Sequence, residues 1–263
     1  MEVMTLKFSV SIEAVYAGKD FVQSMVEVKR AGFNAFEFWI WWEKDLYAIK
    51  AAKEALQLTL ASIVTKFISL TDPSKRQEYV EGLKQTIAVA QMLGCSHIIS
   101  QVGQEIPGVP REEQHRSIVE GLRVCVPLLR QAGMMLVIEP LNTQVDHPGY
   151  YLYHSDEAFQ IVDEVGSPYV KVLYDIYHMQ VMEGNIISAI TRNIDKIGYF
   201  HVAGAPGRHE PYTGELYYLN IFKAIEATGF RGYVGLEYFP IEDAALGLTK
   251  FLSWVTSGGI QLD

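Results

Sequence analysis

The chain predicts an α/β fold, a single (β/α)8 TIM barrel over residues 1–263, and three observations predict it. Eight short apolar segments rich in β-branched and aromatic residues recur along the sequence, bounded by Gly, Pro or Asn. The intervals between them are long enough for helices, and most show helical periodicity. Most helical stretches also stop at a glycine just before the next apolar segment, at AGFN, LGCS, QAGM, EVGS and TGFR, as the αβ turns at one end of a barrel require.

In chain order the strands are expected at 6–12 (LKFSVSI), 35–40 (AFEFWI), 59–64 (TLASIV), 97–102 (HIISQV), 135–140 (MLVIEP), 170–175 (VKVLYD), 198–203 (GYFHVA) and 233–238 (YVGLEY). The legible helices lie at 20–32, at 73–94 behind a proline start, and at 111–133, 154–166, 185–194 and 216–229. An open doubly wound sheet is the competing architecture, but SVSIEAVYAG follows the first strand where a G-x-G-x-x-G would be needed. No Pro/Ser/Gly-rich linker, charge block or low-complexity stretch separates two halves, so one domain is expected. The loops NTQVDHPGYYLYH and GAPGRHEPYTGELYY, after the fifth and seventh strands, are longer and more polar than the αβ turns, which places function on that side.

The formal net charge of −9 argues against a nucleic-acid partner, which would call for clustered Lys and Arg. Cys95 and Cys125 match no zinc or redox spacing and read as buried free thiols of a reducing compartment. The start MEVMTLKFSV has no basic, apolar and cleavable pattern, and no apolar run approaches the ~18 residues that span a bilayer. A cytoplasmic protein with no membrane partner is expected.

Glu139, Asp175, His201 and Glu237 each stand at or near the C-terminal end of an expected strand, the end at which barrels of this kind carry their catalytic groups. Taken singly, the carboxylates read as barrel-mouth salt bridges and His201 as a satisfied core histidine. Taken together, three carboxylates and one imidazole make a mainly oxygen site, suited to a divalent metal, Mn²⁺, Mg²⁺ or Co²⁺, better than to a thiolate-rich structural zinc. Glu139 and Glu237 are also placed to remove a proton from a hydroxy-carbonyl substrate and return one at the adjacent atom, which is isomerisation or epimerisation through an enediolate.

Candidate substrate-binding residues surround this set. His178 follows Asp175 by three residues and reaches the same pocket if the chain turns into a helix. Arg208, seven residues beyond His201, offers a fork of donors to a carboxylate or hydroxyl pair, with Glu210 placed to orient it. Trp39 belongs to a run with Trp41 and Trp42 that serves either as a pocket wall against a sugar or as an oligomer contact. Lys66, just after the third strand, is a further barrel-mouth candidate beside its plain reading as a surface lysine.

The segments VIEPLNT, DHPGYYL, LYDIYHMQ, HVAGAPGRHEP with TGELYY, and GLEYFP together resemble the hydroxypyruvate isomerase family, within the xylose isomerase-like barrel superfamily that also holds the ketose 3-epimerases. The resemblance implies a divalent metal on Glu139, Asp175, His201 and Glu237, proton transfer by the two glutamates, substrate contacts from His178 and Arg208, and a homo-oligomer, dimer or tetramer. Where His201 stands, the hydroxypyruvate isomerases tend to carry glutamine and the 3-epimerases histidine. Val145 occupies the position of the epimerases' substrate-binding glutamate, and the loops resemble the isomerases.

The reading expected first is therefore a metal-dependent isomerase of a small sugar or keto acid, of the hydroxypyruvate to tartronate semialdehyde type, with a ketose 3-epimerase as the alternative. An abasic-site nuclease sharing the barrel would need more His and Asp ligands and a basic groove. A non-catalytic sugar-binding subunit would have no use for paired glutamates.

Overall fold

The computed structural model describes residues 5–262. Its eight strands, β1 (Lys7–Ser11), β2 (Ala35–Phe38), β3 (Thr59–Val64), β4 (His97–Ser100), β5 (Met135–Ile138), β6 (Val170–Asp175), β7 (Ile197–Val202) and β8 (Tyr233–Leu236), form a closed parallel barrel in chain order. Closure comes from β1 against β8, with Phe8 opposite Val234 and Val10 opposite Leu236. Both faces of each strand are covered, which is why these segments read as nearly continuous apolar runs.

The helices are α1 (Ile12–Val15), α2 (Phe21–Arg30), α3 (Leu46–Leu56), α4 (Arg76–Leu93), α5 (Arg111–Ala132), α6 (Ser155–Val165), α7 (Ile176–Met182), α8 (Ile186–Asn193), α9 (Tyr218–Ala227) and α10 (Ala244–Ser257). Between helices and barrel lies the larger apolar layer, where Phe8 of β1 meets Phe222 of α9 and Phe251 of α10 edge-on at 5.3 and 5.1 Å. Inside the barrel a smaller layer of Ala35, Ala61, Val64, Ile99, Val137, Leu173 and Tyr199 fills the lumen beneath the strand ends. The glycine stops hold at α4 and α5, whose C-caps Gly94 and Gly133 take φ of 70° and 65°.

Several boundaries differ from the sequence reading. The first strand ends at Ser11 because Ile12 opens α1, and the second ends at Phe38, which releases Trp39 from the sheet. Helices α1, α3 and α10 are not read from the sequence, and α7 enters that reading only as the turn that would bring His178 to the pocket. Helix α3 lacks the glycine signal because Gln57 itself takes the left-handed cap at φ 52°. The expected absence of a leader falls in part on residues 1–4, outside the described residues. Among the described residues, no helix is long and apolar enough to cross a membrane.

Two register shifts bear on the site, one between Phe36 and Glu37 against β3 and one between Val172 and Leu173 against β7. Such irregularities re-aim side chains at barrel rims. The first immediately precedes a buried glutamate, Glu37, and the second lies on the strand that ends in Asp175.

Candidate active site

At the C-terminal ends of β5 to β8 the chain brings together Glu139, Asp175, His201 and Glu237, all buried. Glu139 and Glu237 continue their strands by one residue, their backbone N–H groups donating to Ser100 O and Val202 O at 3.2 Å each. Asp175 closes β6 and caps α7, its Oδ1 accepting from the N–H groups of Tyr177 and His178 at 2.8 and 3.2 Å. That cap turns the chain into the helix that delivers His178. Nδ1 of His201 lies 3.4 Å from Glu139 Oε1 and 3.4 Å from Glu237 Oε2.

Burial and charge act differently on these groups. Burial raises the Glu139 carboxyl above the usual range and holds Asp175 up at about 7. For Glu237, burial is outweighed by the cationic fields of His201 and Arg208, and its carboxyl is held well down. For His201, the desolvation that would discharge it is overcome by Glu237 and Glu37, and its pKa is raised well above the ordinary value. Three buried carboxylates thus converge beside one guanidinium, Arg208. Carboxylate oxygens with an imidazole, packed so closely that two of the carboxyls are pushed up, form a donor set that fits a divalent cation.

Glu37 is the residue of this centre that the sequence reading misses. It is buried on β2, and its Oε1 lies 2.6 Å from His201 Nε2. Ser9 Oγ donates to Glu37 Oε2 at 2.7 Å, and the Tyr199 hydroxyl donates to the same oxygen. A carboxylate can only accept, so the facing His201 nitrogen carries a hydrogen and Nδ1 is the atom turned toward the two glutamates.

The neighbouring cavity holds about 210 Å³ and is lined by Trp39, Phe67, Gln101, Leu141, His147, Arg208, Glu139, His201 and Glu237, with Val64 and Ile99 beneath. Of the tryptophan run, Trp39 reaches it and donates from Nε1 to Glu237 Oε1 at 2.9 Å. Its backbone N–H donates to Glu13, which also pairs with Lys44 at 2.6 Å. Trp41 and Trp42 instead pack edge-on at 5.5 Å, with Trp42 against Phe67. Arg208 donates to Glu237 Oε2, lies 4.0 Å from Asp175 Oδ2, and sits over the Tyr177 and Phe239 rings at 5.6 and 5.7 Å. Its Nε is buried without a hydrogen-bond partner among the described residues.

Two expected substrate contacts are placed elsewhere. Glu210 does not turn to Arg208; its carboxylate accepts from the Ile241 N–H at 3.1 Å, tying the loop after β7 to the loop after β8. Lys66 donates to Gln85 Oε1 at 2.7 Å and lies 5.5 Å over the Trp41 ring, on the rim outside the cavity. His178 is fully buried, and a ring nitrogen of it lies with oxygens of Glu139, Asp175 and Glu237 in a group spanning no more than 4.8 Å. His147 and Asn142, both from the long loop after β5, complete the surroundings, with the His147 and His178 rings 5.3 Å apart.

A sequence model of the family described as xylose isomerase-like TIM barrel matches residues 25–253. The chain belongs to that family. Among its relatives are the hydroxypyruvate isomerase of Escherichia coli (strain K12), 33% identical over 92% of this chain and 97% of the relative, and the 2-oxo-tetronate isomerase of Cupriavidus necator, 28% identical over 92% and 96%. A crystal structure titled AP endonuclease, family 2, from Brucella melitensis superposes with a TM-score of 0.90 at 27% identity, covering 95% of this chain and 99% of the other. The D-allulose 3-epimerase of Methylomonas sp., in complex with D-allulose, superposes at 0.82 with 20% identity over 97% of both chains, a likeness of fold.

Proposed function

We propose that the protein is a divalent-metal-dependent isomerase of a small hydroxy-keto acid, of the hydroxypyruvate to tartronate semialdehyde type. The observation that carries this reading is one small cavity bordered by Glu139 and Glu237, each 3.4 Å from the same His201 nitrogen, with Arg208 beside them. The relatives named for hydroxypyruvate and 2-oxo-tetronate support the substrate class.

Glu139, Asp175, His201 and Glu237 would hold a divalent cation, which would supply positive charge against the negative charge that builds on the substrate oxygens. Glu37 orients His201 for that set. One of the two glutamates takes a proton from the hydroxyl-bearing carbon and the other delivers one to the adjacent, former carbonyl carbon, while the hydroxyl proton passes from its oxygen to the former carbonyl oxygen. His178 donates to a substrate oxygen as it gains charge. Arg208, whose buried Nε–H has no partner among the described residues, meets the substrate carboxylate, and Trp39 closes the wall beside Glu237.

The second reading, a ketose 3-epimerase, is favoured by His201, the residue type the resemblance associates with epimerases. The exposed apolar side chains Val145, Phe239 and Ile241 at the barrel mouth fit a homo-oligomer, and the two buried free thiols fit a cytoplasmic enzyme. The deciding assay offers hydroxypyruvate, fructose, tagatose and ribulose with added Mn²⁺, Mg²⁺ or Co²⁺. Turnover of hydroxypyruvate is expected, turnover of a ketose alone selects the second reading, and inactivity on every hydroxy-carbonyl overturns both. Glu139→Gln and Glu237→Gln should each lower kcat by at least on the order of 100-fold while the chain still binds metal.

A further inference from the structure

We propose that Asn142, braced by Asp146, fixes His178 as a hydrogen-bond donor through Nε2 and thereby withholds that ring from the metal. The inference rests on the isomerase reading of the cavity and adds a positioning residue to it.

Distance alone would make His178 a metal ligand, since a nitrogen of it sits in the same tight group as Glu139, Asp175 and Glu237. Its hydrogen bonds say otherwise. The orientation of the Asn142 amide is fixed by its own partners, for Oδ1 accepts from the N–H groups of Val145 and Asp146 at 3.0 and 2.9 Å. Nδ2 is therefore the donor end, and it donates to Asp146 Oδ2 at 2.5 Å. It also lies 2.7 Å from His178 Nδ1, at which the Asn142 backbone N–H points from 3.3 Å. Two donors converging on one ring nitrogen leave no hydrogen on that nitrogen, so a neutral ring carries its hydrogen on Nε2. Asp146 is held in turn by the Tyr177 hydroxyl, which donates to Oδ2 at 2.8 Å.

The His178 ring, accepting at Nδ1, is neutral, since the cation would carry a hydrogen on both nitrogens. Its Nε2 has no hydrogen-bond partner among the described residues, although the ring is fully buried and Asp175 Oδ2 is only 3.5 Å away. A buried donor left unpaired is costly, and a substrate oxygen that reaches past the cavity wall to the group His178 shares with Glu139 and Glu237 removes that cost. An N–H has no lone pair in the ring plane to offer a cation. His201 is the opposite case, because Glu37 holds the hydrogen on Nε2 and Nδ1, toward the glutamates, is the nitrogen whose proton a cation would displace. Two imidazoles a few ångströms from the same carboxylates thus receive opposite roles from their outer partners.

The test is nitrogen NMR of the full chain with isotope-labelled histidine, the His178 signals being assigned by their loss in His178→Gln. The wild-type protein should show His178 protonated on Nε2, and protonation on Nδ1 would overturn the proposal. The exchange variant Asn142→Asp with Asp146→Asn conserves volume and the bond between the two side chains but sets a carboxylate against His178 Nδ1. It should move the hydrogen to Nδ1 and lower kcat on hydroxypyruvate on the order of 100-fold. Its Mg²⁺ affinity by calorimetry should be retained or tightened, whereas a merely structural role would weaken it without moving the hydrogen. An inverted ring with wild-type kcat would also overturn the proposal, and if the exchange variant does not fold, the wild-type spectrum decides. Inactivity of the wild-type chain on every hydroxy-carbonyl would overturn the isomerase reading while the spectrum still judged Asn142.

Discussion

Glu37 shows at the scale of one residue how the proposed metal centre depends on a group outside it. A lone buried carboxylate would be prohibitively costly, and this one is satisfied by His201, Ser9 and Tyr199 together. In the sequence it is a polar residue inside AFEFWI, and nothing in that strand distinguishes it from a lumen-facing filler. Its consequence is testable. Glu37→Gln replaces an obligate acceptor with a group that also donates, so His201 loses its fixed orientation. Mn²⁺ affinity measured by calorimetry should fall about 10- to 100-fold, with the far-UV circular dichroism unchanged. The same contrast separates the two tryptophan roles: Trp39 donates to Glu237, whereas Trp41 and Trp42 pack on each other.

At the scale of the element, β8 is shaped to admit this pair. A Cβ at Gly235 would lie 2.6 Å from Glu37 Oε2 and 2.7 Å from His201 Cδ2, and both side chains are held by hydrogen bonds and cannot yield cheaply. Gly235→Ala should therefore destabilise the fold by about 1–3 kcal/mol in urea denaturation and weaken metal binding in the same variant. Unchanged calorimetry would show that the pair can shift without loss. The long loops after β5 and β7 were legible as functional because they are longer and more polar than the αβ turns, and they supply Asn142, His147 and Arg208. Helix α3 was not, since its left-handed terminus falls on Gln57, a residue with no sequence signal for that conformation.

For the whole molecule, the interior sets a boundary on the alkaline side. Burial raises the phenols of Tyr79, Tyr150, Tyr199 and Tyr218 far above their ordinary value and pushes the Cys95 and Cys125 thiols up to about 12. Below the ordinary thiol value of 9.0, folded and unfolded chains both keep these protons and the groups add no slope. Above it the unfolded chain releases protons that the folded chain retains, so stability falls with rising pH, first through the thiols and then, beyond 10.0, through the phenols. Urea midpoints measured from pH 7 to pH 11 should be set by other groups up to about 9 and drop progressively beyond it. A midpoint that held constant to pH 11 would contradict the burial of these side chains.

By itself the sequence determined the barrel and the strand-end residues. The apolar segments and glycine stops repeat with the period of the βα unit, and in a closed parallel sheet every strand's C-terminal end arrives at one face, so Glu139, Asp175, His201 and Glu237 had to be neighbours. Only the tertiary structure decided how those neighbours divide the work. Glu37 and His201 meet across the lumen at a separation of 164 residues, and Asn142 reaches His178 across 36. Glu210 and Lys66 turn to Ile241 and Gln85 instead of the cavity. The physical reason is that a side chain's aim is set by register shifts and loop paths, and a histidine's donor or acceptor role by whichever partner packs on its far nitrogen. Neither is written in the spacing of the chain.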